Sequence, residues 1–183
     1  QANLTRFFLP EDEADTYTTA DILTGEGESV WSDNLVTIRP GLSLLPGSSG
    51  LYDLDLRAIR DGLSAPERLR GFAECARDDG DTDWMIFDCP PGYTVASVAA
   101  LLAADTVVIP VLADKFSLDG AAAVAEQANR LAGVRPRLRV RALLTQTRGT
   151  EVVTAAATML TQMRLPVYRT AIRRTDKVPE STM

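Results

Sequence analysis

Trp84-Met85-Ile86-Phe87-Asp88-Cys89-Pro90-Pro91, followed by Gly92, is the stretch on which the fold turns. An apolar run ends in a carboxylate and then in two prolines. A short buried run of this kind suits a central strand of a parallel sheet, covered on both faces. Proline has no N–H to give to a ladder, so the strand must stop near Asp88. Asp88 is therefore expected at the carboxyl end of a strand, where open α/β sheets bind their ligands. Taken alone, the motif fits equally well an ordinary strand-to-loop Asp that caps a helix.

Downstream the pattern is regular. Trp84–Phe87 reads as strand, Val95–Ala103 as helix, Thr106–Leu112 as strand and Ser117–Leu131 as helix ending at Gly133. Leu138–Thr145 reads as strand, Glu151–Met163 as helix and Val167–Ile172 as strand. Strands and helices alternating at these lengths imply right-handed βαβ crossovers and a parallel sheet. Upstream, Thr19–Leu23 reads as a helical turn closed by Gly25, and Leu35–Arg39 and Leu42–Pro46 as short strands around Pro40-Gly41. Asp53–Gly62 and Pro66–Arg77 have helical spacing, with Ser64 or Ala65 as a cap before Pro66. The fold class is α/β, a mostly parallel sheet flanked by helices, with residues 1–183 forming one domain. No repeat, linker or low-complexity segment interrupts it.

Composition narrows the chemistry. At 183 residues and 45% hydrophobic content the chain can bury a substantial core. It has two cysteines and no histidine, so His-based triads, His-ligated metals and a four-cysteine zinc site within the chain are excluded. Two thiols make no disulfide framework, and a reducing cytoplasm is expected. The longest apolar stretch, 95–113, is interrupted by Asp105 and Pro110 and changes from Ala/Leu-rich to β-branched. It reads as helix, turn and strand and not as a membrane span. Residues 1–92 hold 7 Lys/Arg against 18 Asp/Glu, a net −11, whereas residues 93–183 hold 12 against 7, a net +5. That asymmetry permits a basic face able to meet phosphates; an unevenly charged solvated surface is the other reading.

Several segments, in order, resemble the ParA/MinD family of deviant Walker-type ATPases, its ParA branch above all. Gln1-Ala2-Asn3-Leu4-Thr5 is similar to the family's D-P-Q-G/A-N-x-T segment after the second strand. Leu42–Ser48 resembles its strand ending in a Leu-Pro-Ser-type turn, and Asp83–Pro91 its Walker B segment. Ala103–Val111, Phe116–Gly120 and Leu143–Thr145 follow its later strand and helix signatures. Ala171–Thr175 stands where the family has I-P-R-n, and Pro179-Glu180-Ser181 resembles the entry to its last helix. The resemblance covers nearly the whole chain, with two departures. The glycine-rich K-G-G-x-G-K-T-T loop is nowhere in residues 1–183, and an Asp expected two places before Gln1 is likewise outside them. The first strand, P-loop and first helix are thus expected to lie upstream, and residues 1–183 alone are expected to bind ATP very weakly and not to hydrolyse it. Arg173 stands where the family has Pro beside the adenine, which leaves that backbone route less constrained.

The resemblance implies ATP and Mg2+ as cofactors, with Asp88 holding Mg2+ through water. Pro90, Pro91 and Gly92 would begin a loop that senses the γ-phosphate, although Pro-Pro-Gly is also a plain turn. Gln1 and Asn3 would lie near the phosphate-facing switch. Thr145 would end a strand beside the base, or be one more β-branched strand residue. Arg173 and Arg174 fall in the loop near the adenine. Asp114, Lys115 and Phe116 lie where family dimers meet, or form a polar loop with one apolar anchor. Arg164, Arg169, Arg173, Arg174 and Lys177 match the basic carboxyl-terminal part through which ParA proteins bind DNA non-specifically, or are simply solvated. Cys89 reads as a small buried residue without a redox role.

The implied protein is a cytoplasmic, nucleoid-associated ATPase of plasmid or chromosome partitioning. It forms a homodimer on ATP, and a ParB-like partner stimulates its hydrolysis. The alternatives are a MinD-like or other cargo-positioning ATPase, and a degenerate, non-catalytic binding module of the same fold.

Overall fold

The computed structural model describes residues 3–9, 17–26, 31–62, 65–80, 82–90, 92, 94–130, 137–175 and 177. Its contacts divide the chain into two compact units, Gln1–Ala103 and Ala104–Met183.

The first unit contains helices α1 (Asn3–Phe8) and α2 (Thr19–Thr24), then strands β1 (Val36–Arg39) and β2 (Leu42–Leu44). Helices α3 (Leu54–Asp61), α4 (Ala65–Asp78) and α5 (Val95–Ala103) complete it. β1 and β2 pair antiparallel around Pro40-Gly41, where Gly41 takes φ +76°, a turn conformation that suits glycine. The core is helical, with Leu23, Leu54, Leu69, Ala99, Ala100 and Ala103 buried together and Phe87 packed against them. α2 starts with a reciprocal cap, in which the Asp21 carboxylate accepts the Thr18 backbone N–H at 2.7 Å and its hydroxyl at 2.6 Å. It ends on Gly25 at φ +84°. Asp21→Ala should remove about 1 kcal/mol of stability, measurable by urea unfolding.

The second unit is a parallel βαβ arrangement of β3 (Thr106–Leu112), α6 (Lys115–Arg130), β4 (Arg139–Thr145) and α7 (Thr150–Gln162). Val107, Ile109 and Val111 stand opposite Val140, Ala142 and Leu144, so both strands present one apolar face. Leu118, Ala121 and Ala125 of α6, Ala156 and Leu160 of α7, and Leu165 close over that face. The many alanines let helix and sheet approach closely. Residues 166–174 run beside β4, with parallel bridges at Val167 and Arg173. The other edge of β3 pairs with no described residue.

α5 and β3 have the boundaries expected from sequence, and α6, β4 and α7 differ from expectation by one or two residues. Of the two proposed caps of α4, Ser64 lies outside the described residues and Ala65 is already the first residue of the helix. Among the described residues no helix is long and apolar enough to cross a membrane. Two strand expectations need correction. Val167–Ile172 forms no named strand: it carries one bridge, at Val167, and the second, at Arg173, falls just past it. Trp84–Phe87 is extended but joins no ladder, and it is not buried on both faces. Met85 and Phe87 are half-buried, whereas Trp84 is 87% and Ile86 88% exposed. The alternation is that of a strand with one face covered. The ladder is missing because no described strand hydrogen-bonds to it.

Candidate functional site

Phe87, held against the first unit's helical core, anchors the extended segment that carries Asp88. Asp88, Cys89 and Pro90 are exposed, and Gly92 takes φ +117° as the chain turns toward α5. A side chain at that φ would be strained, so glycine is the suitable residue there. The start of α5 is fixed from two sides. The Thr94 hydroxyl accepts the Ser97 N–H at 3.1 Å, and the Asp55 carboxylate of α3 accepts the Val95 N–H at 2.7 Å. Neither Thr94 nor Asp55 stood out in the sequence. Thr94-x-x-Ser97 is a legible cap, whereas nothing local links Asp55 to a helix forty residues away.

Cys89 corrects the expectation of a buried residue: it lies past Phe87, which packs against the helical core, and is exposed. Its surroundings still desolvate the sulfur in part; that desolvation, and the Asp88 charge beside it, raise the thiol's pKa. A thiol shifted upward carries less of the thiolate that acts as nucleophile.

A lone exposed carboxylate is a suitable donor for Mg2+, which keeps several waters and takes one or two carboxylates alongside substrate phosphates. No group of three His, Cys, Asp or Glu among the described residues could cage a metal unaided. Asp88 thus fits Mg2+ brought with a phosphate ligand. The phosphates themselves have no glycine-rich cradle in residues 1–183.

In the second unit, Asp114 caps α6 by accepting the Ser117 N–H at 3.0 Å and its hydroxyl at 2.7 Å. These bonds lower its pKa, so the cap stabilises above the ordinary carboxylate range and is lost as pH falls through the lowered value. Phe116 is 88% exposed and is no apolar anchor among the described residues. Thr145 ends β4 half-buried, its hydroxyl 3.5 Å from the Val111 carbonyl. Just beyond it, the Thr147 N–H donates to Ile172 at 3.1 Å and the Arg174 N–H to Thr147 at 3.2 Å. Thr145, Arg173 and Arg174 therefore share the carboxyl rim of this sheet. Arg164 does not join them: it lies at the amino end of β4, beside Arg139 and Arg141. The residues read as one basic region are spread along the edge of the sheet. Asn3 opens α1 and is exposed, and Gln1 and Pro91 lie outside the described residues.

Comparison with known proteins extends these observations. A family model described as an AAA domain matches residues 1–140. The chromosome partitioning protein ParA of Caulobacter vibrioides is 30% identical over 125 residues, which is 68% of this chain and 46% of that protein. The chain thus spans about half the length of the curated relatives it matches. Two solved structures share the fold. The ATP complex of a Cyanothece McdA variant superposes with a TM-score of 0.81 at 19% identity, covering 100% of this chain and 72% of that one. A Mycobacterium smegmatis cobyrinic acid a,c-diamide synthase with bound ADP and magnesium gives 0.79 at 24% identity, covering 96% and 71%. With a family model matching three-quarters of its length and a partitioning protein 30% identical over two-thirds of it, the chain belongs to the AAA domain family, among the ParA/MinD P-loop ATPases.

Proposed function

We propose that residues 1–183 form the switch-bearing part of an ATPase that partitions plasmids or chromosomes. The carrying observation is the exposed Asp88 carboxylate at the end of an extended segment, shortly before a helix capped from two sides. The chain's likeness to a chromosome partitioning protein supports that reading. ADP with magnesium, and ATP, in proteins of the same fold support those cofactors.

Bound Mg2+ would neutralise charge on the β- and γ-phosphates of ATP. Asp88 would orient waters of the metal shell, and Pro90–Gly92 would reposition as the γ-phosphate leaves. Gln1 and Asn3 would face that switch from the amino-terminal side. Thr145, Arg173 and Arg174, gathered on one rim, would border the base. The phosphate cradle would come from a P-loop strand and helix outside residues 1–183, in a longer protein. The extended segment at 84–88, whose backbone joins no ladder among the described residues and whose apolar face is exposed, suits pairing with such a strand. The assembled protein would dimerise on ATP, bind DNA non-specifically and release it when a ParB-like partner stimulates hydrolysis.

The DNA step has its own test in the longer protein. Arg173→Glu with Arg174→Glu should weaken ATP-dependent binding to unrelated duplexes by about tenfold or more at low salt, with a shallower salt dependence. Fluorescence anisotropy across a salt series measures this, and an unchanged affinity and slope would remove these arginines from the DNA face.

A further inference from the structure

A cleft of about 290 Å³ opens at the amino rim of the second unit's sheet, between the end of α6, the start of β4 and the turn after α7. Its polar lining is Asn129, Arg139, Arg141 and Arg164, closed by Leu165 and Pro166. Arg139 begins β4 and Thr145 ends it, so the cleft lies about 20 Å from the rim that holds Thr145, Arg173 and Arg174. Three arginines line it, and no carboxylate among the described residues pairs with any of them. The Arg141 guanidinium carbon lies 5.6 Å from the Tyr168 ring centroid, a cation–π contact that restrains the side chain at the cleft.

Arg164 adds an independent observation. α7 closes with a Schellman arrangement, the Leu165 N–H donating to Leu160 at 2.9 Å and the Arg164 N–H to Thr161 at 3.0 Å. Leu160 and Leu165 pack together in the core beneath it. The residue between them must be left-handed, and Arg164 has φ +61°. Glycine is the usual occupant of that position because it avoids the Cβ clash. Here a long cationic side chain bears the strain and lines the cleft with it. Strain retained at one residue of a concave charged site is a mark of function.

We propose that this cleft binds a phosphoryl group, held by the paired N–H edges of Arg139, Arg141 and Arg164 with the Asn129 amide. Guanidinium forks match phosphate oxygens in twos, and an open cleft of this size admits a pyrophosphate. The source of the phosphate is either a free phosphorylated molecule or the backbone of a nucleic acid. The cleft is built from residues of the second unit alone and Asp88 belongs to the first, so either assignment can fail without the other.

Calorimetric titration of residues 1–183 with sodium pyrophosphate at low salt tests the proposal, alongside anisotropy with a fluorescent duplex of unrelated sequence. Saturable pyrophosphate binding is expected, weakened about tenfold or more by Arg164→Gly and by Arg139→Gln. Arg164→Gly should at the same time raise the thermal midpoint by about 2–4 °C, because it relieves the left-handed strain. Loss of binding in a more stable protein separates a ligand role from damage to the fold. Weakened pyrophosphate binding with unchanged duplex binding identifies a free phosphorylated ligand; parallel weakening of both identifies nucleic-acid phosphates. No saturable pyrophosphate binding, or wild-type affinity in both variants, overturns the proposal.

Discussion

Asp88→Ala, in a protein that joins residues 1–183 to a P-loop strand and helix, is expected to cut Mg2+-dependent ATP turnover by about a hundredfold or more. ATP-dependent dimerisation should be lost with it. A carboxylate that orients metal-bound water acts where charge shifts during phosphoryl transfer, so its removal acts on kcat and not merely on nucleotide affinity. The structure favours a direct effect: Asp88 is exposed, and no hydrogen bond or ion pair to it is seen among the described residues. Its removal leaves no buried group unsatisfied, and stability should change little. Steady-state turnover across a Mg2+ series, with a thermal melt of the same protein, separates the two outcomes. Turnover at the wild-type rate would take Asp88 out of the mechanism.

The part of the fold that was legible in sequence is the part set by local rules. Val95–Ala103 and Thr106–Leu112 were bounded correctly because helix-forming Ala and Leu give way at Asp105 to β-branched residues, and periodicity and propensity agree on each side. Trp84–Phe87 was not, although its composition is equally strand-like. A ladder is a property of two segments, and an apolar run reports only one of them. The same limit applies to the site. Two prolines sufficed to place Asp88 at the end of an extended segment. They carried no sign of Asp55, which reaches the amino end of α5 from forty residues away. Arg164 was visible as a positive charge near the carboxyl terminus. Its left-handed backbone and its company with Arg139 and Arg141 depend on where α7 stops and β4 starts, which only folding decides.

Amide exchange at Met85, Ile86, Phe87 and Asp88 is expected to differ sharply between residues 1–183 and a longer protein that carries a P-loop strand. In residues 1–183 these four amides donate to no described residue and should exchange within about tenfold of the unstructured rate. Pairing with an added parallel strand would place the same amides in a ladder whose opening requires sub-global unfolding. Protection should then rise by about a thousandfold, the order expected for a core strand in a protein stable by about 5 kcal/mol. The side chains supply the drive. Trp84 and Ile86 are among the most exposed apolar residues in the chain, and burying each contributes about 1.5–3 kcal/mol. Hydrogen–deuterium exchange read by mass spectrometry on peptides spanning 84–88 would show the change directly. Equal, fast exchange in both proteins would mean that no strand docks at this edge, and the Asp88 carboxylate would then lack the phosphate cradle its proposed role requires.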